Sequence, residues 1–561
     1  MSKLAALVIL GLALVAACAP PLADRTAGAG QSSSTPGAPK RLVVAIQSDP
    51  PVLVGRLTDH LEPGLDSVES FYNPGLGGTN RAGALVPVMA AQVPTVANGL
   101  WTVQADGKMS TVWKLRVGSK WHDGTPLTAQ DYVFTYQVDG DKDVPFAVPS
   151  AALRQVERME ATDDLTFTVF WKGPFIDADT AFMGRALPRH LLEKTYREDK
   201  ASLGQLAYWA QPPIGVGPYR VQEWARGSHI RLEANDQYTH GRPKIDVIEA
   251  RLIPDQNTLL ANILAGGIDF TLGKSITLEQ AIELRERWNG RIETMPQSSL
   301  QAFPQLLNPT PAAINDARFR RALTHAIDRQ ELADSLLGPG FTSVVHSYLS
   351  PTEPPEFQSQ ANRVVKYEYD PRKAVEILQG MGFARGPDGL FRDERGQPFS
   401  VEVRTITTDI NTKAILAMGD FWQRSGIAAE PYVIPRQLAQ DQEYRATYPG
   451  YEVVRNSADR PGLARLPISQ TPLPENGFRG NNRSRYVNQE FDGMLTRYYQ
   501  TIPIDQRAQL FGDHIHDMTE KALVLGLFYD VEPTAIGPRL KNAGVGDHRE
   551  TWSVVDWDLA A

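Results

Sequence analysis

One stretch, Trp121-His122-Asp123-Gly124-Thr125-Pro126-Leu127-Thr128-Ala129-Gln130-Asp131, confines the chain to a strand, a tight turn and a capped helix in that order. Upstream, Val112-Trp113-Lys114-Leu115-Arg116-Val117 alternates apolar and polar, the period of a half-buried strand. Asp123-Gly124 forces the turn, because glycine enters positive φ at no steric cost. Thr128 is placed to cap the helix, with Asp131 three residues on as an acidic form of the capping box. Tyr132, Val133 and Tyr136 then give that helix an apolar face. His122 beside Asp123 also invites reading as part of a catalytic relay. A turn aspartate next to a histidine on a strand end is more often scaffold, and no nucleophile motif accompanies the pair.

With 561 residues the chain exceeds one ordinary domain and should form two or three lobes. The net charge of −8 argues against a nucleic-acid partner, which needs a basic surface. The single cysteine is informative by position. Lys3 precedes an apolar run, Leu4 to Ala17, too short to span a bilayer, and Val15-Ala16-Ala17-Cys18 resembles a bacterial lipobox. Residues 1–17 are therefore expected to be a signal peptide and Cys18 a lipidation site. With no other cysteine, the mature fold has no disulfide, thiolate nucleophile or cysteine metal site. The Ala, Gly, Ser, Thr and Pro of residues 19–39 bury too little to offset their ordering entropy, so 18–40 reads as a lipidated tether. More than one acyl chain is needed to hold a protein firmly at a membrane.

The block at 121–131 closely resembles the "W-H-D-G-x-P-L-T-A-x-D" segment of family 5 extracellular solute-binding proteins, the peptide- and nickel-binding receptors of bacterial ABC importers. Other segments resemble that family in the family's order: Leu85-Val86-Pro87-Val88-Met89-Ala90, the Gly-rich Pro212-Pro213-Ile214-Gly215-Val216-Gly217-Pro218-Tyr219, the run from Asp316 to Leu337, and Tyr486-Val487-Asn488-Gln489-Glu490-Phe491-Asp492. Gly215 and Gly217 suit a close backbone approach; no helix follows to make them a phosphate loop. Gly266-Gly267 ends a helix and reads either as a hinge or as a plain C-cap. Asp316 to Leu337 reads as one helix whose Arg318, Arg320 and Arg321 form a solvated, salt-bridged rim. The resemblance implies an α/β, two-lobed periplasmic-binding-protein type II (Venus-flytrap) fold. Lobe I is expected over 41–272 plus 515–561, with a subdomain inserted at about 80–200, and lobe II over 273–514.

The resemblance also implies a function: capture of a peptide or similar small solute by lobe closure and delivery to permease subunits, by a monomer lipid-anchored outside the cytoplasm. In peptide-binding relatives a "W-x-A-D-Y" stretch supplies a carboxylate for the ligand's amine. Here Arg455-Asn456-Ser457-Ala458-Asp459-Arg460 stands in its place, with Asp459 matching the acid, Asn456 replacing the Trp and Arg460 the Tyr. Asp459, Arg455, Asn456 and Arg460 are the candidate ligand contacts, together with Tyr529 on the returning strand and Phe71 and Tyr72 on the early segment. His514 and His516, two apart in a helix, make a poor chelate, and no metal or cofactor is expected. No G-x-S-x-G, H-E-x-x-H, Walker or G-x-G-x-x-G motif supports an enzyme, although a secreted hydrolase or a ligand sensor on the same scaffold are the alternatives.

Overall fold

The computed structural model describes residues 39–57, 64–147, 150–546 and 551–560, all within the unit Lys40–Ala561 apart from Pro39. The expected signal peptide, Cys18 and nearly all of the tether lie outside the described residues. A ten-stranded mixed sheet runs through both lobes. In spatial order its strands are Ala429–Ile434, Val401–Ile406, Tyr451–Asn456, Arg291–Pro304, Leu525–Ile536, Phe270–Thr271, Arg41–Ile46, Val247–Leu252, His229–Ala234 and Tyr219–Ala225. Arg41–Ile46 lies parallel to both neighbours and is buried from Leu42 to Ile46, which is why it reads as an unbroken apolar run rather than an alternation.

The middle of this sheet decides how the lobes connect. Arg291–Pro304 and Leu525–Ile536 pair antiparallel from Arg291 opposite Ile536 to Ala302 opposite Leu525. At one end they adjoin the first-lobe strand Phe270–Thr271; at the other, Arg291–Pro304 also pairs with Tyr451–Asn456 of the second lobe. The two strands thus carry the chain out of the first lobe and back. The register slips between Pro296 and Ser298 and again between Leu300 and Gln301. Proline has no N–H for the ladder, and a bulge is where a strand accommodates it. The expected boundary at 514/515 falls inside the helix Ile504–Glu520, and the returning strand that carries Tyr529 runs over Leu525–Ile536.

An antiparallel four-stranded sheet, ordered Trp101–Val103, Met109–Lys114, Thr166–Trp171 and Val156–Asp163, forms the core of the inserted subdomain. The alternating strand expected over 112–117 is shifted toward the N-terminus: it runs over Met109–Lys114 with Met109, Thr111 and Trp113 buried, and Val117 lies beyond it at 82% exposure. Trp113, Trp121, Phe167 and Trp171 belong to one apolar cluster that continues to Tyr348, Tyr498 and Phe511 of the second lobe. The helix Ala129–Gly140 begins as its sequence requires: the Thr128 N–H donates to Asp131 Oδ2 at 2.8 Å.

Two expectations are corrected. The run from Asp316 to Leu337 is two helices, Ala317–His325 and Arg329–Leu337, because Asp328 accepts from the Glu331 N–H at 2.9 Å and starts a new N-terminus. Its arginines are not all a solvated rim. Arg318 pairs with Asp316 and Arg321 reaches Glu520, but Arg320 is 4% exposed and donates to the carbonyls of Ile314, Asn315, Lys521 and Ala522. Of the two readings of the Gly266-Gly267 pair, the backbone has the geometry of the helix C-cap. Gly266 sits at φ +71, and the Gly267 N–H donates to Asn262 O at 2.8 Å.

Candidate ligand site

The two strongest sequence blocks meet in a backbone junction. His122 takes an N–H from Gly215 at Nδ1 (3.1 Å) and donates from Nε2 to Gly217 O (3.1 Å), while its own N–H donates to Gly215 O at 2.9 Å. A backbone N–H only donates and a carbonyl only accepts, so these partners fix the neutral tautomer. Asp123 plays no part in a relay; it accepts from the Thr125 N–H and contacts His190 Nε2 at 2.8 Å. Burial holds His122 at about 4, below its ordinary 6.5, outweighing the bond to Gly217 that works the other way. Between those two values the unfolded chain binds a proton that the folded chain refuses, so this contribution is complete above pH 6.5 and is lost as pH falls to about 4. The melting temperature is expected to fall across that window, and His122→Gln to flatten the fall; each pH unit in which only the unfolded state is protonated is worth about 1.4 kcal/mol. A pH-independent wild-type melting temperature over this range contradicts the assignment.

The central strands align three residues in a row: Asn456 is opposite Ser299, and Ser299 is opposite Tyr529. Residues opposed across a ladder share a face, so Asn456 and Tyr529 stand about 10 Å apart on one side of the sheet. Just past the strand end, Asp459 caps a short turn, Oδ1 accepting from the Gly462 N–H at 2.9 Å. Asp459, Tyr529, Gln297, Ser298, Ser350 and Thr352 enclose a cavity of about 40 Å³. Burial raises the Tyr529 phenol, and Asp459 and Glu353 push it the same way, so it stays protonated as a donor. Gln297 Nε2 is buried without a hydrogen-bond partner.

The other candidates do not converge there. Arg455 projects from the opposite face and pairs with Asp530 at 3.4 Å. The Asn456 carboxamide is taken by Arg465. Arg460 binds Glu353 through its backbone N–H (2.9 Å) and its Nε (2.5 Å) and lies over the Phe357 ring at 4.2 Å. Phe71 and Tyr72 are fully buried in the first-lobe core: Phe71 packs edge-on to Tyr219 and Trp557, and the Tyr72 hydroxyl donates to Leu53 O at 2.6 Å. They do not line the cavity. His514 is wholly buried between Phe491 and Tyr498, whereas His516 faces Arg363 O, so the two share no space.

Several participants had no sequence signal. Ser350, Thr352 and Glu353 lie in irregular chain, where periodicity says nothing. Two contacts join the lobes beside the cavity. Gly83, at φ +77, lies so close to the second lobe that a Cβ there would sit 2.4 Å from Thr352 O. From the other side, Arg507 Nη1 donates to Ile176 O at 3.2 Å. Nearby Asp179 is pushed up to about 6 by burial, with Arg507 opposing and Asp177 adding to the rise. On the first lobe, a larger concavity of about 300 Å³ is lined by Ser70, Gly77, Gly78, Thr180, Arg185 and Trp552.

Two lobes joined by an antiparallel strand pair, with concave surfaces beside the crossing, define a binding protein of the periplasmic type. Residues 91–460 match the model of the bacterial extracellular solute-binding proteins, family 5 (middle region), and the chain belongs to that family. It is similar to the oligopeptide-binding protein AppA of Bacillus subtilis (strain 168), 31% identical over 307 residues, or 54% of each chain. That match therefore spans about half the length of the curated relative. Heme-binding protein A of Haemophilus influenzae is 23% identical over 465 residues, covering 79% of this chain and 80% of its own. Among solved structures, the unliganded open form of the periplasmic murein tripeptide-binding protein MppA superposes with a TM-score of 0.72 at 20% identity, covering 93% of this chain and 97% of that one. At that identity the likeness shows the fold. These relatives are solute-binding proteins, not enzymes.

Proposed function

We propose that this chain is the extracytoplasmic substrate-binding lipoprotein of an ABC importer, capturing a peptide or similar amine-bearing solute between its lobes and handing it unaltered to the permease. The observation that carries the proposal is the convergence of Asp459 and Tyr529 on one cavity beside the strands that link the lobes. Asp459 Oδ1 is occupied by the Gly462 N–H, while no hydrogen bond to Oδ2 exists among the described residues. A buried ammonium is costly unless a carboxylate meets it, and Oδ2 is placed to do so. A cavity of about 40 Å³ takes one charged group, so the rest of the solute occupies the space that lobe separation opens. The names of AppA and MppA support a peptide, whereas that of Heme-binding protein A keeps other solutes in view. Lobe closure follows only from the solute's greater affinity for the closed form.

The protein acts as a monomer held at the membrane through Cys18. Native mass spectrometry of the protein purified from its source tests the proposal: an intact amine-bearing solute released on denaturation supports it, and a chemically converted product contradicts it. Cys18→Ser is expected to shift the protein from the membrane fraction to the soluble one with an unchanged melting temperature; membrane retention of that variant contradicts the anchor.

A further inference from the structure

We infer a second binding site, for a compact doubly charged oxyanion, at the end of the second lobe away from the strand crossing. It is a cavity of about 250 Å³ walled by Arg445, Arg479, Arg483, Gln442 and Phe478. At its base Glu452 is fully buried, at 0% exposure. Arg445 Nε donates to Glu452 Oε1 at 2.5 Å, and Arg483 Nη1 donates to Oε2 at 3.0 Å. The carboxylate thus fixes two guanidiniums that come from different segments, which removes most of the entropy that ordering them around an anion would cost.

Three guanidiniums against one carboxylate leave a formal charge of +2 around the cavity. The third, Arg479, is exposed, and its guanidinium has no acceptor among the described residues. Arginine's planar fork matches the oxygens of a phosphoryl group. Close by, Arg485 is 4% exposed and its Nε is buried without a partner, adding further positive charge. The wall is also conformationally unusual: Phe478 holds φ 57, a left-handed conformation costly for a bulky side chain and found preferentially at ligand clamps.

The site is separate from the Asp459 cavity. Glu452 is opposite Phe303 and Asn456 opposite Ser299, so the two ends of that strand lie about 13 Å apart. The phosphoryl chemistry has two sources, free phosphate or the headgroup of an anionic lipid. Calorimetric titration of the mature chain carrying Cys18→Ser with inorganic phosphate, and cosedimentation with phosphatidylglycerol vesicles, separate them. Saturable phosphate binding weakened at least tenfold by Arg479→Gln supports a free anion. Vesicle binding without phosphate binding, lost in Arg479→Gln, supports a headgroup. The Arg479 side chain makes no hydrogen bond or ion pair among the described residues, and its backbone bond to Asn476 survives the substitution, so the variant should fold, and Asp459→Asn should leave either signal unchanged. No binding of either probe, or binding indifferent to Arg479→Gln, overturns the site.

Discussion

Gly215→Ala is expected to unfold the protein at temperatures the wild type survives, at a cost on the order of 3–5 kcal/mol. A Cβ at this position would lie 2.0 Å from Tyr72 O, 2.6 Å from Tyr72 C and 2.8 Å from Asn73 Cβ. Most of that obstruction is backbone, so no rotamer change relieves it. Moving residue 215 aside would break both of its backbone bonds to His122 and strain the Gly217 N–H bond to Tyr72 O at 2.8 Å. Those bonds join the inserted subdomain to the first-lobe core, so the damage spreads beyond one contact. Gly173→Ala is the control, since a Cβ there meets nothing within 4 Å. Chemical denaturation should show the first variant strongly destabilised and the second within about 0.5 kcal/mol of wild type. Equal stability of the two would mean that the close approach at Tyr72 is not obligatory.

Asp459→Asn is expected to cost an amine-bearing solute on the order of a hundredfold or more in affinity while leaving the empty protein as stable as before. The reason lies in the two jobs of this side chain. Its Oδ1 caps the turn at Gly462, and an asparagine oxygen accepts that N–H equally well. Only the charge is lost, and removing one partner of a buried pair costs about 3–5 kcal/mol. Asp459→Ala removes both jobs and should also lower stability by about 1 kcal/mol. Thermal shift and calorimetry with a defined pool of short peptides separate the two effects. Unchanged affinity in Asp459→Asn would take the residue out of the site.

Much of the fold was legible because several residues carry unambiguous backbone demands. Asp123-Gly124, Thr128 with Asp131, and Gly215 with Gly217 each admit few conformations, and the structure places each where its chemistry requires. The crossing strand Arg291–Pro304 was not legible: two prolines and a Gln-Ser-Ser tract argue against a central strand, and only the bulges at Pro296 and Leu300 reconcile them with the sheet. Arg320 was misread for a related reason, since its four carbonyl partners come from segments about 6 and 200 residues away and leave no local pattern.

The candidate site was legible only where it adjoins a strand. Asp459 and Tyr529 follow from the ends of Tyr451–Asn456 and from Leu525–Ile536. Phe71 and Tyr72 do not line it, because the helix Leu65–Tyr72 is buried except at Asp66 and its aromatic residues pack into the core. Arg460, which replaces an aromatic residue of the resembled motif, turns to Glu353, an acid in irregular chain that no sequence signal singled out.

The central claim is that the lobes move together around a solute, and a distance across them tests it most directly. Val117 on the first lobe is 82% exposed and Leu416 on the second is 55% exposed, so cysteines at both positions, in a Cys18→Ser background, can carry spin labels. Pulsed electron resonance with and without the peptide pool should show the distance distribution shorten and narrow when solute binds. A distribution that stays the same at saturating solute would contradict capture by closure.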